Sequence, residues 1–204
     1  MKQGKASRPA HHDISPQQIG DDAAAFPGRP DVGRLPLGVH LRSLQTNRDR
    51  RGSLTEIFRA SWDTALDPMQ WNYVESEANV LRGVHVHVKH SDYLILLRGR
   101  ASVGLRDLRR GSPTDGMTAL IDMHGQELNA ITIPPGVAHG FYFHEPSTHI
   151  YAVNEYWDSC DELGCHWADP ALGINWPEMV PFISERDAGL ASLAQLIEAF
   201  PPWQ

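Results

Sequence analysis

Two histidines one residue apart sit between valines in the stretch RGVHVHVKHSDY, residues 82–93. Imidazole at this spacing supports two chemistries. It can ligate a metal through a ring-nitrogen lone pair, or it can use that lone pair to take a proton near neutral pH. In an extended segment His85, His87 and Lys89 share one face, and Val84, Val86 and Val88 share the other. A polar row opposite an apolar row suits a strand that faces a wet interior. Asp92 follows close by, and a further histidine, His139, ends the segment Pro134-x-Gly136-x-x-His139. Three imidazoles and a carboxylate suit a divalent transition metal. The residue types alone leave both chemistries open.

The rest of the chain has to position these groups. From Leu35 onward, short apolar runs alternate with turn signals: RGSLTEIF, VLRGVHVHV, DYLILLRG, ASVGLRDL, ITIPPGVAHGFYF and HIYAVNEYW. The breaks fall at 111–116, 124–125 and 134–136, and they are rich in Gly and Pro. Many short strands at this spacing predict an all-β barrel or sandwich. One helix is expected after ISERD, with Ser184 and Asp187 as a capping box and Leu190, Leu193, Ile197 and Phe200 as its apolar stripe. Residues 1–34 are rich in Pro, Gly, Ala and charge without periodicity, which predicts a mobile arm before a single domain at 35–204. With 204 residues, a second domain would be tight.

Composition excludes several functions. The net charge of −7 argues against a nucleic-acid surface. No segment has the apolar length of a transmembrane helix, and the N-terminus lacks a signal-peptide core. The two cysteines, Cys160 and Cys165, are too few for a disulfide framework and fit a reducing, cytoplasmic setting.

The His-x-His segment with Asp92, Gly99 and the Pro-x-Gly-x-x-His segment resembles the two motifs of the cupin superfamily, whose members are small jelly-roll barrels. In its metal-binding members the ligands would fall on His85, His87, Asp92 and His139, which implies a metal-dependent isomerase or oxygenase. An ordered set of further motifs is similar to the dTDP-4-dehydrorhamnose 3,5-epimerase family, a metal-free branch. These are DLRRGSPTDG (107–116), IPPGVAHGF (133–141), IYAVNEYWD (150–158) and WADPALGINWP (167–177), within a match from Arg51 to Asp187.

That resemblance implies a cupin jelly-roll and an epimerase that inverts C3 and/or C5 of a dTDP-linked 4-keto-6-deoxy sugar through an enolate, without cofactor or metal. The family's base falls on His85, its proton-donating tyrosine on Tyr151, and its histidine-orienting aspartate on Asp187. The nucleotide and diphosphate contacts fall on Gln70, Asn72, Arg82, His139 and Trp157, with Glu162 and Arg186 as further contacts. Arg51 and Glu56 match a segment that reaches across a homodimer. Tyr151, Asp187 and the 167–177 motif fit the epimerase and go unexplained by a plain metal cupin, so proton transfer is the favoured chemistry. A sugar-nucleotide-binding barrel without catalysis is the remaining alternative.

Asp92 departs from the family, which has an enolate-steadying lysine there. A carboxylate beside a developing oxyanion raises the barrier. His90 stands where the family has glutamine, and His87 where it has a non-ligand. The tract Val74-Glu75-Ser76-Glu77 replaces a serine-rich one. Lys89, about 13 Å along the strand from His85, would reach back only partway. A metal on His87, Asp92 and His139 would supply a Lewis acid instead. The third explanation is a divergent member with a changed substrate or little activity.

Overall fold

Alternating short apolar runs leave the chain one economical solution, strands whose inner faces meet. A computed structural model describes residues 34–200 apart from 63, 65, 157, 159 and 160. The expected arm therefore lies outside the described residues, Arg34 excepted.

One five-stranded sheet, sheet I, has the order β1 (His40–Ser43), β9 (Asn129–Ile133), β6 (Asp92–Arg98), β11 (Ser147–Val153), β4 (Gln70–Ser76). Sheet II, also five-stranded, runs β12 (Leu163–Gly164), β5 (Val80–Val86), β10 (Val137–Phe143), β7 (Arg100–Asp107), β8 (Thr118–His124). All pairings are antiparallel. From β4 to β12 consecutive strands alternate between the sheets, except that β7 and β8 pair with each other in sheet II; this is the jelly-roll arrangement expected of a cupin. A separate hairpin joins β2 (Thr46–Asp49) to β3 (Gly52–Thr55).

Three apolar layers hold the sheets. Leu94, Leu96, Ile131 and Ile133 of sheet I meet Val103, Leu105, Ile121 and Phe143 of sheet II between them. Each such side chain contributes about 1.5–3 kcal/mol through burial. A second layer covers the back of sheet I, where Phe58 and Trp62 pack on Tyr93, Ile95 and Ala152. The third covers the back of sheet II, where Leu172, Leu193 and Leu196 pack on Val84, Val86 and Ala138.

The helix expected after ISERD is two short ones, α1 (Glu185–Ala188) and α2 (Leu193–Ala199). Gly189 ends α1, and Ser192 starts α2 in a capping box with Gln195. Leu190 falls in the break, while Leu193, Ile197 and Phe200 join the layer behind sheet II. Ser184 does cap α1 by accepting from the Asp187 N–H. The Asp187 carboxylate is turned away to other partners, so that capping box is half made.

The 167–177 segment is a clasp behind sheet II. Asp169 caps a 3-10 turn at Pro170–Leu172 through the Ala171 N–H. Its second oxygen accepts from the Leu193 N–H at 2.7 Å, tying the segment to α2. Arg106 donates to the Leu172 carbonyl at 2.7 Å. Trp176 packs on Gly104 of β7, where a Cβ would come within 2.5 Å of its ring.

Candidate active site

A cavity of about 650 Å³ opens between the sheets. Strand alternation places its walls: Gln70, Asn72 and Val74 from β4, and His149, Tyr151 and Val153 from β11. Sheet II supplies Arg82 and His85 from β5 and His139 and Phe141 from β10. Glu162, Arg186 and Asp187 close the C-terminal side.

His85 and Asp187 meet at 2.8 Å between Nε2 and Oδ1. Gly83 makes this possible. Its φ of +118° brings β5 against β10, and its N–H donates to Asp187 Oδ2 at 3.3 Å. A Cβ at Gly83 would stand 2.7 Å from Gly140 Cα. Burial pushes the Asp187 carboxyl up, but the His85 contact, the Gly83 N–H and Arg186 bring it below the ordinary value. With Nε2 donating to this carboxylate, Nδ1 keeps the free lone pair. Arg186 Nη2 lies 2.8 Å from the same Nε2, a contact exclusive with that donation, and it also pairs with Glu162 at 2.9 Å.

Tyr151 projects from the opposite sheet. Burial, then the Asp92 and Glu162 carboxylates, raise its pKa, so the phenol holds its proton firmly. Asn72 Nδ2 is buried without a hydrogen-bond partner among the described residues, while Gln70 donates to Asn72 Oδ1 at 2.9 Å. Arg82 is exposed at the rim and donates to Ser76 and to the Glu75 carbonyl.

Four sequence expectations come out differently. The polar row ends at His87, because the chain leaves β5 there and the Gly136 N–H binds the His87 carbonyl. Lys89 therefore points outward and pairs with Asp158 at 3.6 Å, so it does not reach toward His85. His90, read only as a departure from the family, turns into the cavity instead and stacks on His87 with centroids 3.8 Å apart. His139 is buried rather than a cation at the diphosphate, and burial followed by His87 pushes its pKa well down. The set His85, His87, Asp92 and His139 does not converge as expected, since His85 is engaged with Asp187 and His90 takes its place.

The pocket floor is strongly desolvated. Burial, then His90, lowers the His87 pKa to about 4. Burial, then Glu162 and Asp161, raises that of Asp92 well above the carboxylate range.

Arg51 and Glu56 lie off the cavity of their own chain. Arg51, at the β2–β3 turn, pairs with Asp49, and Glu56 pairs with Arg59. Trp157 lies outside the described residues.

Residues 37–195 match the family model described as dTDP-4-dehydrorhamnose 3,5-epimerase. The enzyme of that name from Neisseria gonorrhoeae is 32% identical over 168 residues, covering 77% of this chain and half of its own length. The Sinorhizobium fredii enzyme is 31% identical over 74% of this chain and 83% of its own. Among solved structures, the rmlC epimerase of Mycobacterium tuberculosis is 27% identical with a TM-score of 0.78, covering 85% of this chain and 94% of its own. The Legionella pneumophila RmlC, solved with dTDP-4-keto-L-rhamnose, is 29% identical with a TM-score of 0.73, covering 82% of this chain and 94% of its own. The barrel, the histidine–aspartate pair and the facing tyrosine thus occur in a chain that belongs to the dTDP-4-dehydrorhamnose 3,5-epimerase family.

Proposed function

We propose that this protein is a nucleotide-sugar epimerase that inverts C3 and/or C5 of a dTDP-linked 4-keto-6-deoxyhexose. One observation carries the reading: an oriented imidazole, His85, and a proton-holding phenol, Tyr151, face one cavity from opposite sheets. A C–H bond next to the ketone breaks, its proton passes to His85, and the electron pair moves onto the carbonyl oxygen. Tyr151 then returns a proton from the other side, which inverts the carbon. Asp187 fixes the imidazole tautomer and balances the imidazolium charge.

The binding residues fit a nucleotide sugar. Arg82 and Arg186 offer guanidinium groups suited to diphosphate oxygens. The unpartnered Asn72 amide, beside Gln70, is a donor awaiting a ligand acceptor. Glu162 holds Arg186. Trp157 supplies an aromatic face for the thymine. Arg51 and Glu56 act across a homodimer, supported by the exposed outward face of edge strand β4, where Trp71 is 43% and Tyr73 64% accessible. No helix among the described residues is long and apolar enough to cross a membrane. The low cysteine count supports a cytoplasmic setting.

The test is incubation with dTDP-4-keto-6-deoxyglucose in deuterium oxide, followed by NMR. Deuterium should enter at C3 or C5. Binding of dTDP, seen as a melting shift, with no exchange at either carbon would leave a non-catalytic binding barrel.

A further inference from the structure

The proton transfer leaves four side chains in the cavity floor without a task. His87, His90, Asp92 and His139 are 5%, 6%, 6% and 4% exposed. Their hydrogen bonds share one sense. His90 Nδ1 contacts Asp161 Oδ2 at 2.9 Å, and His87 Nδ1 contacts the Asp161 backbone oxygen at 3.2 Å. His139 Nδ1 contacts the Val137 carbonyl at 3.1 Å. Carbonyls and carboxylates only accept, so each ring carries a proton on Nδ1, and in the neutral imidazole Nε2 is then bare.

Those three Nε2 atoms converge on a single atom, Asp92 Oδ2, at 3.7 Å from His87, 4.0 Å from His90 and 3.7 Å from His139. That oxygen is buried and has no hydrogen-bond partner among the described residues. The ligand atoms of His87, His90 and Asp92 lie within 4.8 Å of one another. Three imidazole nitrogens and one carboxyl oxygen thus face one small space, with no other donor among the described residues. A proton on Asp92 together with one water would supply three donors for the three nitrogens, whereas a single cation answers all four groups at once and matches their kind.

We propose that His87, His90, Asp92 and His139 form a binding site for one divalent transition-metal ion. Three imidazoles and one carboxylate suit Zn²⁺, Fe²⁺, Co²⁺ or Ni²⁺ better than Mg²⁺ or Ca²⁺, which favour oxygen ligands. A tetrahedral ion with bonds of about 2.1 Å sets ligand atoms about 3.4 Å apart, so the site would contract from its present separations of 3.7–4.0 Å to Asp92 Oδ2. Asp161 braces it as metal sites usually require: it orients two of the rings and is itself held by the Val88 and Lys89 N–H groups at 2.8 and 3.2 Å. His85 stands outside this set with its Nε2 on Asp187, so ion and base coexist in one cavity.

The role of the ion rests on the epimerase reading. When His85 takes the C–H proton, the electron pair arrives on the ketone oxygen, and a cation in the floor would stabilise the charge there. That would offset the cost of placing Asp92 in the pocket.

The test uses the full chain without an affinity tag, stripped with a chelator and titrated with Co²⁺. One Co²⁺ per chain should bind with visible d–d absorption. His90→Gln and Asp92→Asn should each weaken that binding tenfold or more, with dTDP-dependent melting shifts showing that the fold survives. His85→Asn should leave Co²⁺ affinity unchanged. Absence of stoichiometric Co²⁺, or binding indifferent to His90→Gln and Asp92→Asn, overturns the site. So does an equal loss in His85→Asn, which restores the set containing that residue. Co²⁺ binding without deuterium exchange into the keto sugar upholds the site and removes the epimerase role. Exchange without Co²⁺ binding does the reverse.

Discussion

At the scale of single residues, the proposed chemistry depends on His85 keeping a lone pair while Asp187 holds its other nitrogen. His85→Asn should lower epimerisation by about a hundredfold or more, because the group that takes the proton is gone. Asp187→Asn should cost less, since the ring remains but loses its orientation and counter-charge. Tyr151→Phe should separate the two half-reactions: deuterium still enters from solvent while inverted product falls. Single-turnover NMR of the three variants checks this, and equal loss of exchange in Tyr151→Phe would count against a donor role. The proposed trio of His85, Tyr151 and Asp187 was legible as a resemblance carried by short motifs. Of the floor cluster, His87, Asp92 and His139 were legible as a candidate ligand set, but His90 was not, because the alternation rule that ranks His85, His87 and Lys89 together assumes that the strand continues. It stops at Val86, and a short irregular segment turns His90 inward in place of Lys89.

At the scale of elements, the strands were readable from their apolar runs and from breaks at Gly and Pro, and the turn at 111–116 falls between β7 and β8 as expected. The C-terminal helix was misread as continuous because apolar spacing persists through Gly189–Ser192, while the cap residues that interrupt it act over only one turn. Gly83 shows how an element serves the site. Its positive φ and its contact with Gly140 let β5 approach β10 closely, and its N–H binds the same carboxylate that orients His85. Gly83→Ala should therefore destabilise the barrel by roughly 1–3 kcal/mol through backbone strain, and it should lower the catalytic rate beyond what dTDP binding loses. Urea unfolding beside kinetics would show it; a stable variant with full activity would contradict the account.

At the scale of the whole molecule, stability and assembly follow from what the walls are made of. His149 lies stacked near Phe143 with centroids 5.3 Å apart, and its Nδ1 has no hydrogen-bond partner among the described residues. Burial, then Arg82, lowers its pKa to about 4. The unfolded chain takes up this proton near pH 6.5 and the folded chain only near 4, so stability should fall as pH drops through that window. The loss attributable to His149 is on the order of 3 kcal/mol. His149→Phe should flatten the curve between pH 7 and 4 in chemical denaturation, and an unchanged slope would place the dependence elsewhere. Assembly is tested on β4: Trp71→Arg with Tyr73→Glu should convert a dimer to a monomer by light scattering while leaving the isolated barrel folded. A wild-type monomer at micromolar concentration would remove the dimer from the proposal.

The proposed base and acid, His85 and Tyr151, ride on different sheets, and the spacing of those sheets is set by the apolar layer between them. The gap that the migrating protons must bridge is therefore a packing dimension, adjustable from a distance. Phe143 and Ile133, fully buried between the sheets, act in this sense as shims. Trimming one of them would loosen the gauge between abstraction and return. It would make the enzyme leakier toward solvent exchange while every residue that touches the sugar stayed the same.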